Sequence, residues 1–270
     1  MEAETFKAFQ DLAYAKAGIF LRQGKAALVQ ARLAKRLREL GLASEREYLE
    51  KLKADSGEEV VLFLDAISTN FTKFFREPDH FETLAAWVSA ERKAGQRRFR
   101  FWSAACSSGE EPYTAAMVLD PILEGCDWKI LATDISTRVL ARAARGHYVA
   151  EEIEPVPPAL RARYLEPAPE EDDGGERFAV AARLRERIVY RRLNLAARPY
   201  PMQGPLDAIF CRNVMIYFDR PMREGLVQEF ERLVRPGAPL FIGHSETLNG
   251  IATRFRSERP SVYRLPEEPR

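Results

Sequence analysis

Phe101-Trp102-Ser103-Ala104-Ala105-Cys106-Ser107-Ser108-Gly109-Glu110-Glu111-Pro112-Tyr113 is where an apolar run gives way to small residues, a glycine and then a proline. The run reads as a β-strand and the small residues as a loop that lets backbone approach a ligand. Pro112 marks a helix start, because its missing N–H would be unpaired there anyway. The loop is not Gly-x-Gly-x-x-Gly, and two acids follow its glycine. Carboxylates at a helix N-terminus repel a pyrophosphate and suit a ligand bearing an ammonium. The stretch therefore argues against NAD and for an amino-acid-bearing nucleotide such as S-adenosylmethionine. The plainer alternative is that Glu110 and Glu111 only complement the helix dipole.

Working outward, short β-rich runs alternate with helical stretches from about residue 86 onward, the pattern of a parallel α/β sheet. Strands are expected over 99–104, 128–133, 188–193, 206–211, 239–243 and 261–265. In such sheets ligands sit at the carboxyl ends of the strands. The second strand ends in Thr133-Asp134, and 134 − 109 = 25, close to the roughly 20-residue spacing at which an acid meets a ribose in dinucleotide folds. Asp134 is a ribose candidate, with N-capping of the following helix as the alternative. The fourth strand ends in Cys211-Arg212-Asn213-Val214-Met215-Ile216-Tyr217. There Arg212, Asn213 and Tyr217 are expected to face the reacting group, with a plain polar loop as the alternative.

Residues 1–68 contain no proline and carry Leu28, Leu33, Leu37 and Leu40 at helical spacing, so they read as a small helical domain. Between residues 22 and 38 lie Arg22, Lys25, Arg32, Lys35, Arg36 and Arg38 with no acid among them. Such a run is either a solvated helix face or a one-signed field that steers an acidic partner. A connector spans 69–85, and 86–270 form the α/β domain. Within it, prolines from Pro155 to Pro169 and the run Glu170-Glu171-Asp172-Asp173-Gly174-Gly175 read as a hairpin inserted at about 160–190, or equally as a loop.

Composition excludes several classes. With 41 basic and 40 acidic residues among 270, the formal charge is +1, so the chain is no polycation. At 46% hydrophobic and 30% charged it reads as globular rather than disordered. No apolar run approaches the roughly 18 residues that span a bilayer. The acidic start lacks the features of a secretory signal, so the cytoplasm is expected. Three cysteines without a CxxC pair, and three histidines, suggest neither a disulfide framework nor a metal cage.

Five stretches, in order, carry a resemblance: Asn70-Phe71-Thr72-Lys73-Phe74-Phe75-Arg76; Ser107-Ser108-Gly109-Glu110-Glu111-Pro112-Tyr113; Ala132-Thr133-Asp134-Ile135; residues 210–218, centred on Arg212-Asn213; and Gly243-His244-Ser245-Glu246. Together they resemble the CheR-type chemotaxis receptor methyltransferases over nearly the whole chain. The resemblance implies a Rossmann-like S-adenosylmethionine-dependent methyltransferase sheet with an inserted β-hairpin subdomain and an N-terminal helical domain. It implies methylation of glutamate side chains on the cytoplasmic helical domain of chemoreceptors, giving γ-glutamyl methyl esters and S-adenosylhomocysteine. By motif, Asn70, Thr72 and Arg76 would close over the cofactor, Glu111, and with it Glu110, would contact its methionine moiety, and Asp134 its ribose. Asn194 and Leu195 would border the adenine, and Arg212 and Asn213 the methionine end. Arg32, Lys35, Arg36 and Arg38 would dock on the acidic receptor bundle. The connector departs from the family's common Asn-Glu-Thr-Ser or Asn-Leu-Thr-Ala in reading Asn-Phe-Thr-Lys. The acidic insert speaks against tethering a receptor tail peptide.

A glutamate acceptor is already ionised at neutral pH, so the chemistry needs alignment and water exclusion rather than a general base. Arg76 and Tyr217 are the residues expected to position the acceptor, and His244 is left to structure. No metal, nucleic acid or membrane insertion is expected, and the chain is taken as a monomer. Two other readings stand beside this one. One is a non-catalytic scaffold or sensor that keeps the cofactor. The other is a nucleic-acid methyltransferase, disfavoured because no Asn-Pro-Pro-Tyr element for a flipped base follows the fourth strand.

Overall fold

The computed structural model describes residues 1–55, 57–68, 71–169 and 175–267. The chain opens with α1 (Ala3–Ala17), α2 (Ala26–Leu40), α3 (Glu45–Ala54) and α4 (Glu58–Ile67). Ser44 starts α3 by accepting the Glu47 N–H at 3.2 Å, while the Glu47 carboxylate accepts from Ala43, a reciprocal cap. Apolar stripes from the four helices meet around Phe9, Leu33, Tyr48 and Phe63, all fully buried, with Phe9 and Phe63 stacked 5.4 Å apart. Truncating Phe63 to Ala would cost about 3–5 kcal/mol by the usual scale for buried aromatics.

The α/β part follows as α5 (Asp79–Lys93), β1 (Arg98–Ser103), α6 (Glu110–Leu119), β2 (Asp127–Asp134) and α7 (Thr137–Arg145). Next come β3 (His147–Val149), the short α8 (Ala150–Ile153) and α9 (Pro158–Tyr164), β4 (Leu165–Ala168), β5 (Arg177–Val180) and α10 (Ala182–Arg185). The chain closes with β6 (Ile188–Arg192), β7 (Ala208–Cys211), α11 (Arg220–Leu233), β8 (Pro239–Ile242), β9 (Arg256–Arg259) and β10 (Val262–Arg264). The main sheet runs β6-β2-β1-β7-β8-β10-β9. Its first five strands are parallel, and β10 pairs antiparallel with both β8 and β9.

All six strands expected from sequence lie in this sheet, within two residues of their expected bounds. The seventh, β9, has no apolar face at all, since its four residues are exposed at the sheet edge. The core between sheet and helices is aromatic. Trp102 packs edge-on against Tyr200 and Phe230, and Phe81, Phe210 and Phe241 form a stack with centroids 5.6 and 4.4 Å apart.

The insert is a second, three-stranded antiparallel sheet in the order β3-β5-β4. Its β4–β5 hairpin pairs Leu165 with Val180 and Ala168 with Arg177. The sheet begins at His147, well before the interval anticipated for it, while Ile188 already belongs to the main sheet. The acidic run of the anticipated turn lies at residues 170–174, outside the described residues.

The helical unit is fastened beside the sheet's carboxyl edge. Ile19 bridges to Phe218, and the Phe20 N–H donates to the Tyr217 carbonyl at 2.7 Å. Asp65 accepts from the Ser136 hydroxyl at 2.9 Å and from Arg138 at 3.1 Å. These links make the end of α1 one wall of whatever binds over β1, β2 and β7.

Candidate active site

Strand order reverses at β1, which lies between β2 and β7, so the loops after these strands diverge and leave a crevice. The crevice holds about 990 Å³ of atom-free space, its open mouth included. The loop after β1 reaches it because Gly109 adopts φ 100° and packs against Ala143 and Tyr148; a Cβ there would lie 2.9 Å from both. The bare backbone thus brings α6 against its neighbours with the first turn directed at the crevice.

Glu111 lines the crevice, accepts from the Ser103 hydroxyl at 2.6 Å, and sits 3.4 Å from the Arg212 guanidinium. Burial pushes its carboxyl up, with Arg212 and Ser103 opposing. Glu110 turns the other way. Its carboxylate is buried on the Ser108 hydroxyl at 2.8 Å and does not line the crevice. Asp134 accepts backbone N–H groups from Ser107 and Ser136, both at 3.0 Å, and its carboxyl is pushed up by burial against those bonds. The cap of α7 is Ser136, which accepts from Val139. Asp134 is therefore left facing the crevice as an acceptor.

The loop after β7 supplies the cation. Arg212 is buried, stacks 5.4 Å over Phe81, donates twice to Glu77 at 3.1 and 3.2 Å, and donates to the Arg76 carbonyl. Asn213 takes φ 59°, donates its side-chain amide to Glu77 at 3.3 Å and its N–H to Glu246 at 2.9 Å. Glu246 also accepts from the Gly243 and Ile216 N–H groups, at 2.6 and 3.2 Å, so one carboxylate holds both ends of the loop. Gly243 is obligatory, since a Cβ would stand 2.3 Å from the Asn213 amide. Glu77 itself has φ 56°, a conformation costing on the order of 1 kcal/mol that the network around Arg212 holds in place. Burial raises the Glu77 carboxyl, but Arg212, Asn213 and the His244 N–H together bring it below the usual range.

Of the residues singled out from sequence, Thr72, Arg76, Glu111, Asp134, Asn194, Leu195, Arg212, Asn213 and Tyr217 all line this one crevice. Asn70 lies outside the described residues. Asn194 has a second task, donating to the Lys16 carbonyl at 2.7 Å at the end of α1. The docking residues divide. Lys35 and Arg38 are exposed, whereas Arg36 is turned inward onto Glu59 at 2.6 and 2.7 Å, and Arg32 donates to the Ile67 carbonyl at 2.6 Å. Arg36 is thus engaged within the helical domain: Glu59 is buried and also accepts from Tyr48, so it needs a cation from within the domain.

Glu77 and Glu246 went unassigned from sequence. Glu246 stood in a quoted motif without a role, and Glu77 follows Arg76 with nothing local to mark it. Among the described residues, Glu77, His80 and His244 offer ligand atoms within 4.8 Å of one another. The guanidinium of Arg212 already supplies Glu77 with its counter-charge, so the cluster extends the ion-pair network. His244 pairs with Asp79 at 3.2 Å and does not line the crevice.

A crevice with two desolvated carboxylates at the ends of β1 and β2, an apolar wall at Ile135 and Leu195, and no phosphate-binding glycine turn fits an adenosine carrying an amino acid. Fold and site together define an S-adenosylmethionine-dependent methyltransferase. Residues 70–263 match the SAM-binding domain of the CheR methyltransferases, and residues 4–68 their all-alpha domain. The chain belongs to the CheR methyltransferase family. It is 44% identical over 246 residues to a probable chemotaxis protein methyltransferase of Rhizobium etli, covering 88% of this chain and 91% of that one. It is 40% identical over 267 residues to the chemotaxis protein methyltransferase of Escherichia coli, covering 97% and 91%. Among the described residues no helix is long and apolar enough to cross a membrane.

Proposed function

We propose that this protein methylates glutamate side chains on the cytoplasmic helical domain of chemoreceptors, forming γ-glutamyl methyl esters. The observation that carries this reading is the division of charge in the crevice. Glu111 and Asp134 are half-buried at its floor, while Lys73 is exposed and stands with Arg76 toward its mouth, so an ammonium and ribose suit one end and an anionic acceptor the other. Bound S-adenosylmethionine supplies a methyl group on a sulfonium.

Glu111 takes the ammonium of the cofactor's methionine moiety and Asp134 accepts from its ribose hydroxyls. Ile135 and Leu195 flank the adenine, next to Asn194. Arg212 is held off the ligand by Glu77 and Glu111, so it sets the position of Glu111. Arg76 and Tyr217 orient the acceptor carboxylate for in-line displacement. No residue has to move a proton, because the acceptor arrives ionised. Too tight a grip by Arg76 would stabilise the ground state and slow the step. The carbonyl of Phe71 at 2.7 Å and the Phe71 ring at 5.5 Å share that guanidinium's interactions.

The test is incubation of the purified protein with methyl-labelled cofactor and receptor cytoplasmic domains, followed by base treatment and peptide mass spectrometry. Label that is released by base and maps to glutamate is expected. Cofactor binding by calorimetry with no label transferred would instead make the protein a non-catalytic binder.

A further inference from the structure

The crevice mouth carries features that cofactor binding does not use. Lys73 lines it, is exposed, and forms no ion pair with a carboxylate among the described residues. Phe71, which also lines it, is 62% exposed, and Phe20 and Ile216, the chain neighbours of the crevice-lining Ile19 and Tyr217, are each 52% exposed. The last two flank Tyr217 on opposite strands of one short antiparallel contact, since the Phe20 N–H donates to the Tyr217 carbonyl and Ile216 precedes Tyr217. Large apolar side chains left in water around a polar opening are the composition of an interface core with a charged rim.

We propose that Phe20, Ile216 and Lys73 form an acceptor-side lip that seats the amphipathic helix carrying the target glutamate, with Lys73 pairing to a second acidic residue of that helix. This rests on the glutamate-methylating function proposed above and names how its substrate is held. The choice of occupant follows from charge and shape. A bare apolar rim would accept any apolar surface, but an unpaired ammonium within it selects an acidic one. A helix presents neighbouring residues about 5–6 Å apart along one face, so an acid one turn from the target can reach the lip while the target enters the crevice. Lys73 on this neighbour, rather than on the target, leaves the reacting oxygens their nucleophilicity.

The experiment measures receptor-fragment methylation kinetics and cofactor affinity for Phe20→Ser, Ile216→Ser and their double variant, none of which removes a side chain that lines the cofactor crevice. Each single change is expected to raise KM for the fragment by about tenfold, as loss of an apolar anchor does, with the cofactor Kd within twofold of wild type. Lys73→Glu is expected to raise KM as well, and a fragment whose acidic neighbour is changed to Lys should restore it. An unchanged KM in the double variant overturns the proposal. So does equal loss of cofactor affinity, which would make the rim structural, or a dimer in sedimentation that the double variant abolishes, which would make the occupant a second copy. Wild-type protein that binds cofactor but never methylates the fragment would sink the underlying function instead, a result the variants do not mimic.

Discussion

The floor and the mouth of the crevice satisfy their charges differently. On the floor, Arg212 lies between Glu77 and Glu111, and Glu246 ties the loop on which Arg212 and Asn213 sit. At the mouth, Lys73 is exposed and forms no ion pair among the described residues, amid apolar side chains in contact with water. A floor of this kind is organised before any ligand arrives, and in a desolvated setting each of its dipoles acts strongly. The mouth is left incomplete, with its partners on another molecule. Changes on the floor should therefore cost stability or cofactor affinity, and changes at exposed basic positions should cost only partner binding.

Arg212→Met is the strongest way to break the contrast. It strands Glu77 and Glu111, and removing one partner of a buried ionic cluster costs about 3–5 kcal/mol. Urea unfolding should show that loss, with cofactor binding abolished. A loss under 1 kcal/mol would mean the floor is not built around this cation.

His80 offers a pH-dependent version. It is fully buried against Glu77, His244 and Phe241. Burial first, then Arg212, lowers its pKa to about 4, with Asp79 and Glu77 opposing. Because the folded value lies below the unfolded value of about 6.5, the neutral ring contributes stability above pH 6.5 that is lost as pH falls toward 4. The slope approaches about 1.4 kcal/mol per pH unit, up to roughly 3 kcal/mol across the window. Glu111 and Glu246 are shifted up and work in the opposite sense. The readout is therefore the stability of wild type relative to His80→Phe, which should fall from pH 7 to pH 4.5. Parallel stability curves would sink the idea.

Asp134→Asn tests the ribose contact with less disturbance. The amide oxygen can still accept one backbone N–H, while the charge that strengthens bonds from hydroxyls is lost. Hydrogen bonds to charged groups are worth about 1.5–3 kcal/mol, so the cofactor Kd should rise by roughly 10- to 100-fold in calorimetry. An unchanged Kd would assign Asp134 to holding the loops after β1 and β2 alone.

These residues were not equally legible in the sequence. Asp134 and Glu111 follow strand ends whose hydrophobic pattern is plain, so position and chemistry could be read locally. Glu77 could not be read that way, because its meaning depends on Arg212, 135 residues away, and on a left-handed backbone that no residue type announced. Two strands were missed for related reasons. The residues of β9 alternate in nothing, and His147-Tyr148-Val149 is too short to show a period before it pairs with Phe178. The basic run from Arg22 to Arg38 was visible as charge, yet only packing separates Arg36, bound to buried Glu59, from Arg38 in water.

That separation gives the smallest and most discriminating effect. Lys35 is 82% exposed and lies 3.9 Å from Glu39, while Arg38 donates to the Ala34 carbonyl in its own helix. Exposed charges contribute about 0–1 kcal/mol each and are screened by salt. Lys35→Glu with Arg38→Glu should therefore leave the melting temperature and cofactor Kd unchanged. It should raise KM for a receptor fragment several-fold at low ionic strength, and the difference should fade by 0.5 M salt as the Debye length contracts to about 4 Å. Arg36→Glu, by contrast, should destabilise the helical domain at every salt concentration, since it places a second carboxylate against Glu59. If the exposed pair and Arg36 behaved alike, the whole run would be a structural feature of α2 and its segregation from the floor acids would carry no recognition.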